Sequence, residues 1–151
     1  VVEARHPTFG SCFGYQLLGA ALGGTVIHDA DHGEVGAYSV ELTDQGRTDL
    51  LFGTLPDEFT AQMGHLDRVS ELPAGVRNLV RSELCPYQAL RVDGARIWAT
   101  QFHTELDQAA ILHRYRAYVD RYDPSGGEDG FRSLPSPETS GLLPRFLDLL
   151  S

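Results

Sequence analysis

The chain has 151 residues, 42% apolar and 22% charged, which suits one folded domain and excludes a disordered or collagen-like polymer. Its net charge is −9, which argues against general nucleic-acid binding, because that needs a basic face. No run approaches the ~20 apolar residues of a membrane helix, and two cysteines are too few for a disulfide framework, so a reducing cytoplasmic setting is expected.

Residues 8–11 read as the end of a strand that runs into a turn, with Gly10 and Gly14 bracketing Cys12. Leu17, Leu18, Ala21 and Leu22 recur at helical spacing over residues 13–22, and Gly23-Gly24 stops that helix. Residues 25–28 form a short β-rich run, and a polar loop follows to Gly36. Tyr38, Val40 and Leu42 alternate with polar neighbours, as a half-exposed strand does. Residues 50–55 fit one helical turn ended by Pro56, and residues 58–63 fit a strand.

Residues 72–75 are a turn by composition; residues 79–81 and 88–92 are strand candidates. Asp93-Gly94 marks a hairpin into a strand over residues 97–102. Residues 107–122 carry the clearest helix, with Asp107 in position to cap it. Residues 123–141 are rich in Pro, Gly and Ser and read as a linker, and residues 144–150 as a last short helix with Pro144 in its first turn.

The sharpest local feature is Gly10-Ser11-Cys12-Phe13-Gly14-Tyr15-Gln16 between strand and helix. This is a nucleophile elbow with Cys in place of Ser. The turn forces its central residue into a strained conformation, and side chains at the flanking glycines are expected to collide with strand and helix. A cysteine at a helix N-terminus sits where the dipole favours thiolate, and the Phe13 N–H points where an oxyanion would form. A second feature, Gln101-Phe102-His103-Thr104-Glu105, puts an imidazole and a carboxylate on one side of extended chain at a strand end. His103 is placed to accept the Cys12 proton and Glu105 to fix its tautomer.

The Cys elbow followed by His-x-Glu after several strands resembles the class I glutamine amidotransferase family. The first piece matches its G-x-C-x-G-x-Q, and the second its Q-F-H-P-E except that Thr104 stands for Pro. A third piece, Gly64-His65-Leu66-Asp67-Arg68-Val69 followed by Leu72-Pro73-Ala74-Gly75, resembles the middle segment of the GMP-synthase-like branch. The resemblance covers residues 7–122.

It implies an α/β fold: a flavodoxin-like three-layer sandwich, its sheet largely parallel with helices on both faces. Residues 1–122 would form the amidotransferase core without its first strands, 123–141 the linker, and 142–151 a C-terminal helix packed on the same domain. It also implies a triad of Cys12 as nucleophile, His103 as general base and acid, and Glu105 as orienting carboxylate. Gln16, Gly64, Leu66 and Asp67 would meet the substrate glutamine, with no metal and no cofactor. The ammonia released would go to a synthetase or acceptor domain on another chain. A cysteine hydrolase of another γ-glutamyl compound and a non-catalytic module that keeps the fold remain as alternatives.

The family normally has several strands before the elbow, and a loop there supplies a second oxyanion donor, so the chain is expected to be a piece of a longer protein. No G-x-x-x-x-G-K loop is present, so an ATP-using domain is not expected here. His28 and His32, with Asp29 and Asp31, have metal-ligand types but read as a surface loop. His65 and Cys85 read as structural, and Asp67 equally as a turn residue.

Overall fold

A computed structural model describes residues 2–122 and 131–151. Its strands are β1 (Thr8–Ser11), β2 (Thr25–His28), β3 (Glu34–Leu42), β4 (Glu58–His65), β5 (Asp67–Glu71), β6 (Val76–Arg81), β7 (Ala89–Val92) and β8 (Ile97–Thr100). The helices are α1 (Phe13–Ala21), α2 (Asp44–Arg47), α3 (Gln108–Ala117), α4 (Val119–Tyr122), α5 (Pro137–Ser140) and α6 (Leu142–Asp148).

Six strands form one sheet in the order β1-β8-β7-β6-β3-β4, and β2 pairs with β5 in a separate ribbon. The fold is mixed α/β, but the sheet is not the largely parallel, flavodoxin-like one expected. Among the named strands described, β1 and β8 run parallel and every other neighbouring pair in the sheet is antiparallel. The reason lies in the connections: parallel neighbours need a crossover of a dozen or more residues. The links β6–β7 and β7–β8 are too short for one, and Gly94, at φ 66, turns the second. The sheet also curls. Its outer strand β4 meets the chain just beyond β8, where Gln62 and His103 form a β-bridge.

Apolar side chains are buried on both sheet faces, as strand alternation requires. On β8, Trp98 joins a core with Leu51, Phe52, Phe102, Leu142 and Phe146. Its neighbours Ile97 and Ala99 join Tyr15, Leu18 and Val69 in another core beneath α1. Leu142 and Phe146 thus tie α6 to the main core. Of the expected linker, residues 123–130 lie outside the described residues, and its far end holds the helical turn α5.

Several elements differ from the sequence reading. The loop expected up to Gly36 ends at Glu34, where β3 begins. Residues 50–55 are turns, and the helical turn falls earlier, at α2, capped by the Thr43 hydroxyl accepting from Gly46 N–H. The long helix is capped by Asp107 as expected but breaks at Tyr118 into α3 and α4. The last helix starts at Leu142, two residues before Pro144.

Buried Asp49 links the 43–55 segment to the sheet. Its carboxylate accepts from Leu51 N–H, Phe52 N–H and Trp98 Nε1 at 2.9, 3.1 and 3.0 Å, and pairs with Arg91 at 3.1 Å. The Arg91 guanidinium also lies 4.7 Å from the Trp98 ring centre. Replacing one partner of such a pair leaves the other charge buried and uncompensated. Asp49→Ala should therefore lower the unfolding free energy by about 3–5 kcal/mol in denaturant titration, where a loss under about 1 kcal/mol would contradict this account.

Candidate active site

Cys12 joins β1 to α1 with φ 48, the left-handed region that non-glycine residues seldom enter. The backbone around it is over-determined, which is what strain requires. Cys12 N–H donates to Thr100 O at 2.8 Å, and Cys12 O accepts from Gln16 N–H at 3.1 Å. The two bracketing glycines are not equivalent. A Cβ at Gly10 would meet the Gly14 carbonyl carbon at 3.0 Å and Ala99 Cβ at 3.2 Å, whereas one at Gly14 would meet nothing within 4 Å. The expected collision is thus real at Gly10 and absent at Gly14, because only Gly10 is squeezed between helix and sheet.

The β1–β8 register opposes Ser11 to Thr100, so the elbow and the 101–105 segment leave the sheet at the same end. His103 is buried there. Its backbone N–H donates to Gln62 O at 2.8 Å, and its Nδ1 pairs with Glu105 Oε1 at 2.6 Å. Its other ring nitrogen, Nε2, is buried without a hydrogen-bond partner among the described residues. A Cβ added at Gly64 would lie 3.5 Å from that nitrogen, so glycine keeps the space beside it open. The Cys12 thiol points at Gly64 O, 4.0 Å away.

Electrostatics follow from these neighbours. Burial opposes charge on the His103 ring, but the Cys12 and Glu105 side chains outweigh it and push the pKa up to about 9. Burial likewise opposes charge on Glu105, yet hydrogen bonds from His103 and Ser11 hold its pKa down to about 2. Phe13 is the first residue of α1, so its N–H belongs to the helix-start donors that lack an intrahelical acceptor.

The remaining expected site residues divide. Gln16 Nε2 donates to Asp67 O at 2.8 Å and to Gln101 Oε1 at 3.2 Å, and Gln101 Nε2 in turn reaches Cys12 Sγ at 3.7 Å. Gly64 lies beside the sulfur and the imidazole. Leu66 is turned elsewhere: its carbonyl accepts from Asp29 N–H and its side chain packs where a Gly33 Cβ would be. The Asp67 carboxylate pairs with His28 Nδ1 at 2.6 Å, a loop-tying role.

Two contributors had no assigned role in the sequence reading. Gln101 stood inside a quoted motif, and only the folded chain shows it reaching sulfur. The Tyr122 hydroxyl donates to Gly64 O at 3.3 Å, and nothing in its sequence context marks it.

His28, His32 and His65, outside this cluster, are engaged structurally. His32 pairs with Asp29, which also holds Arg68. Among the described residues, the donors that converge in the manner of metal ligands are Glu34, His65 and Cys85, all buried. Their atoms are occupied: His65 bridges Glu34 Oε2 at 3.0 Å and Asp67 O at 3.1 Å, and Ser82 and Gln88 donate to the same carboxylate. Burial and the Glu34 charge push the Cys85 thiol up to about 12, which keeps it protonated and inert.

Comparison with known proteins follows the same line. Residues 1–114 match the family model of glutamine amidotransferase class-I. A glutamine-hydrolysing GMP synthase of Lacticaseibacillus casei is 33% identical over 129 residues, covering 83% of this chain and 24% of that protein. A glutamine-hydrolysing GMP synthase subunit of Thermococcus kodakarensis is 38% identical over 107 residues, covering 69% of this chain and 53% of that protein. The chain thus spans only part of the length of each relative. A glutamine amidotransferase structure from Thermotoga maritima superposes with TM-score 0.76 at 22% identity, over 99% of this chain and 64% of that one, a likeness of fold.

The two pKa shifts define a stability window. Glu105 is depressed from 4.5, so its contribution is present above about 4.5 and lost as pH falls through about 2. His103 is raised from 6.5, so its contribution is full below about 6.5 and lost as pH rises through about 9. Glu105→Gln should lie furthest below the parent in unfolding temperature between about pH 4.5 and 6.5, with the gap narrowing as pH rises from about 6.5 to about 9. A gap that does not change with pH would rule out the charged pair. By the same calorimetry, Gly10→Ala should be clearly destabilising and Gly14→Ala nearly neutral, within about 1 kcal/mol.

Proposed function

This chain belongs to the class I glutamine amidotransferase family, and on that premise we propose that it hydrolyses the side-chain amide of glutamine through a Cys12 thioester and releases ammonia. The observation that carries the proposal is the His103–Glu105 pair, 2.6 Å apart, set beside a cysteine held at φ 48 on a helix start.

Each step has a residue placed for it. With its proton resting on His103, the Cys12 sulfur attacks the amide carbon of glutamine, and the Phe13 N–H donates to the oxygen as it gains charge. With its pKa near 9, His103 is largely imidazolium at neutral pH, and Nε2 is the nitrogen free to give up its proton. That proton passes to the amide nitrogen, the C–N bond breaks and ammonia leaves a γ-glutamyl thioester. Water then attacks the thioester while His103 takes its proton. Glutamate departs, and Cys12 regains the free sulfur. Glu105 holds Nδ1 throughout, so the ring turns the same nitrogen to both half-reactions.

Gly64 lies beside the sulfur and Gln16 holds the Gln101 side chain that reaches it, and both Gly64 and Gln16 are assigned to the substrate. Leu66 and Asp67 shape that side of the site through the backbone they anchor. Because one relative is itself a single GMP synthase subunit, we assign the ammonia to an acceptor site on a partner synthetase chain.

The first test is intact mass after incubation with 6-diazo-5-oxo-norleucine, a glutamine-mimicking electrophile. One adduct mapped to Cys12, prevented by excess glutamine and absent from Cys12→Ala, is the expected result; an unmodified Cys12 would refute the assembled site. If γ-glutamyl peptides are turned over far better than glutamine, the chain is instead a hydrolase of those compounds. The rate should hold through neutrality and fall above about pH 9, as the imidazolium is lost. A rate that keeps rising past pH 9 would show that His103 is not the acid.

A further inference from the structure

Ser11 lies inside the elbow, between Gly10 and Cys12, and its side chain is directed at the 102–105 segment. Its hydroxyl donates to Glu105 Oε2 at 2.7 Å and lies 3.4 Å from Phe102 O. One hydroxyl proton serves one strong bond, and the shorter, charge-assisted contact is the one to the carboxylate. Glu105 therefore has both oxygens taken: Oε1 by His103 and Oε2 by Ser11.

Glu105 needs such a restraint. Its side chain is 42% exposed, so open water competes for it. It sits in irregular chain between β8 and α3, where no ladder hydrogen bonds fix it. The residue before it is Thr104, which does not lock its own backbone as proline would, and whose buried hydroxyl has no hydrogen-bond partner among the described residues. Ser11 by contrast stands on β1, registered opposite Thr100 in the sheet. The hydroxyl thus ties an irregular segment to a strand fixed in the sheet.

Resting on the cysteine–histidine reading above, we propose that Ser11 is a positioning residue, whose hydroxyl clamps Glu105 so that the carboxylate holds the His103 ring in line with Cys12. The same strand then delivers both the nucleophile and the restraint on the group that orients its base. Among the described residues, the titratable groups that act on the ring are Cys12 on the elbow and Glu105 itself.

The test compares Ser11→Ala and Ser11→Thr with the parent chain. Removing a hydrogen bond to a charged group should lower kcat for glutamine about 10- to 100-fold, with KM little changed. Ser11→Thr, which keeps the hydroxyl, should restore most of the loss. Independently of turnover, the His103 imidazole signals followed by NMR should titrate at lower pH in Ser11→Ala than in the parent. Unchanged kcat with an unchanged titration would overturn the proposal. So would reduced thermal stability with an unchanged titration, because that marks Ser11 as merely structural. If the parent chain does not turn over glutamine, the reaction assigned above fails, and the NMR comparison still decides the clamp: a shifted titration upholds it and an unshifted one sinks it.

Discussion

The parallel pairing of β1 with β8 is the constraint on which the site depends. Parallel strands end at the same edge of a sheet, so whatever follows each of them emerges side by side. Here that is the elbow after Ser11 and the Gln101–Glu105 segment after Thr100. An antiparallel pairing of the same two strands would send the segments to opposite edges. The Cys12 N–H to Thr100 O bond extends this ladder by one rung, so the strained residue is held by the sheet it has just left.

The rest of the sheet closes around that edge. Its curl brings β4 from the far side to His103, through the Gln62 bridge. The end of β4 then places Gly64 beside both sulfur and imidazole, where a missing side chain keeps the space between them open. That strand end is held in turn by a buried polar cluster. His65 joins Glu34 at the start of β3 to Asp67 at the start of β5, and the Glu34 carboxylate collects Ser82 and Gln88 as well. A charge buried so deeply survives only when its lone pairs are filled, and here hydrogen bonds outweigh the burial that would otherwise neutralise Glu34. The metal-like composition of this cluster is thus the signature of a structural anchor.

Much of the site was legible in the sequence because its chemistry is local. Gly10, Cys12 and Gln16 are spaced by the geometry of one turn and one helix, and His103 and Glu105 by the repeat of extended chain. Less was legible where a residue acts across elements. Ser11 and Gln101 were visible only as members of motifs, since the contact of each spans about ninety positions in sequence. Tyr122 carried no signal. Leu66 stood in a plausible segment, yet its side chain went to Gly33 because the β4–β5 turn rotates it away from the elbow.

The same division holds for the fold. Hydrophobic alternation and turn residues located β1, β7, β8 and α1, since period and punctuation are properties of a short window. Strand direction is not such a property. Antiparallel order followed from which connections were too short for a crossover, and the β2–β5 ribbon from a pairing between distant segments. By itself, then, the sequence determined the kinds of residue and their local geometry: an elbow cysteine, a strand-end histidine and its carboxylate. Only the tertiary structure decided that they meet, because register, strand direction and the curl of a sheet are set by contacts between segments that no local pattern encodes.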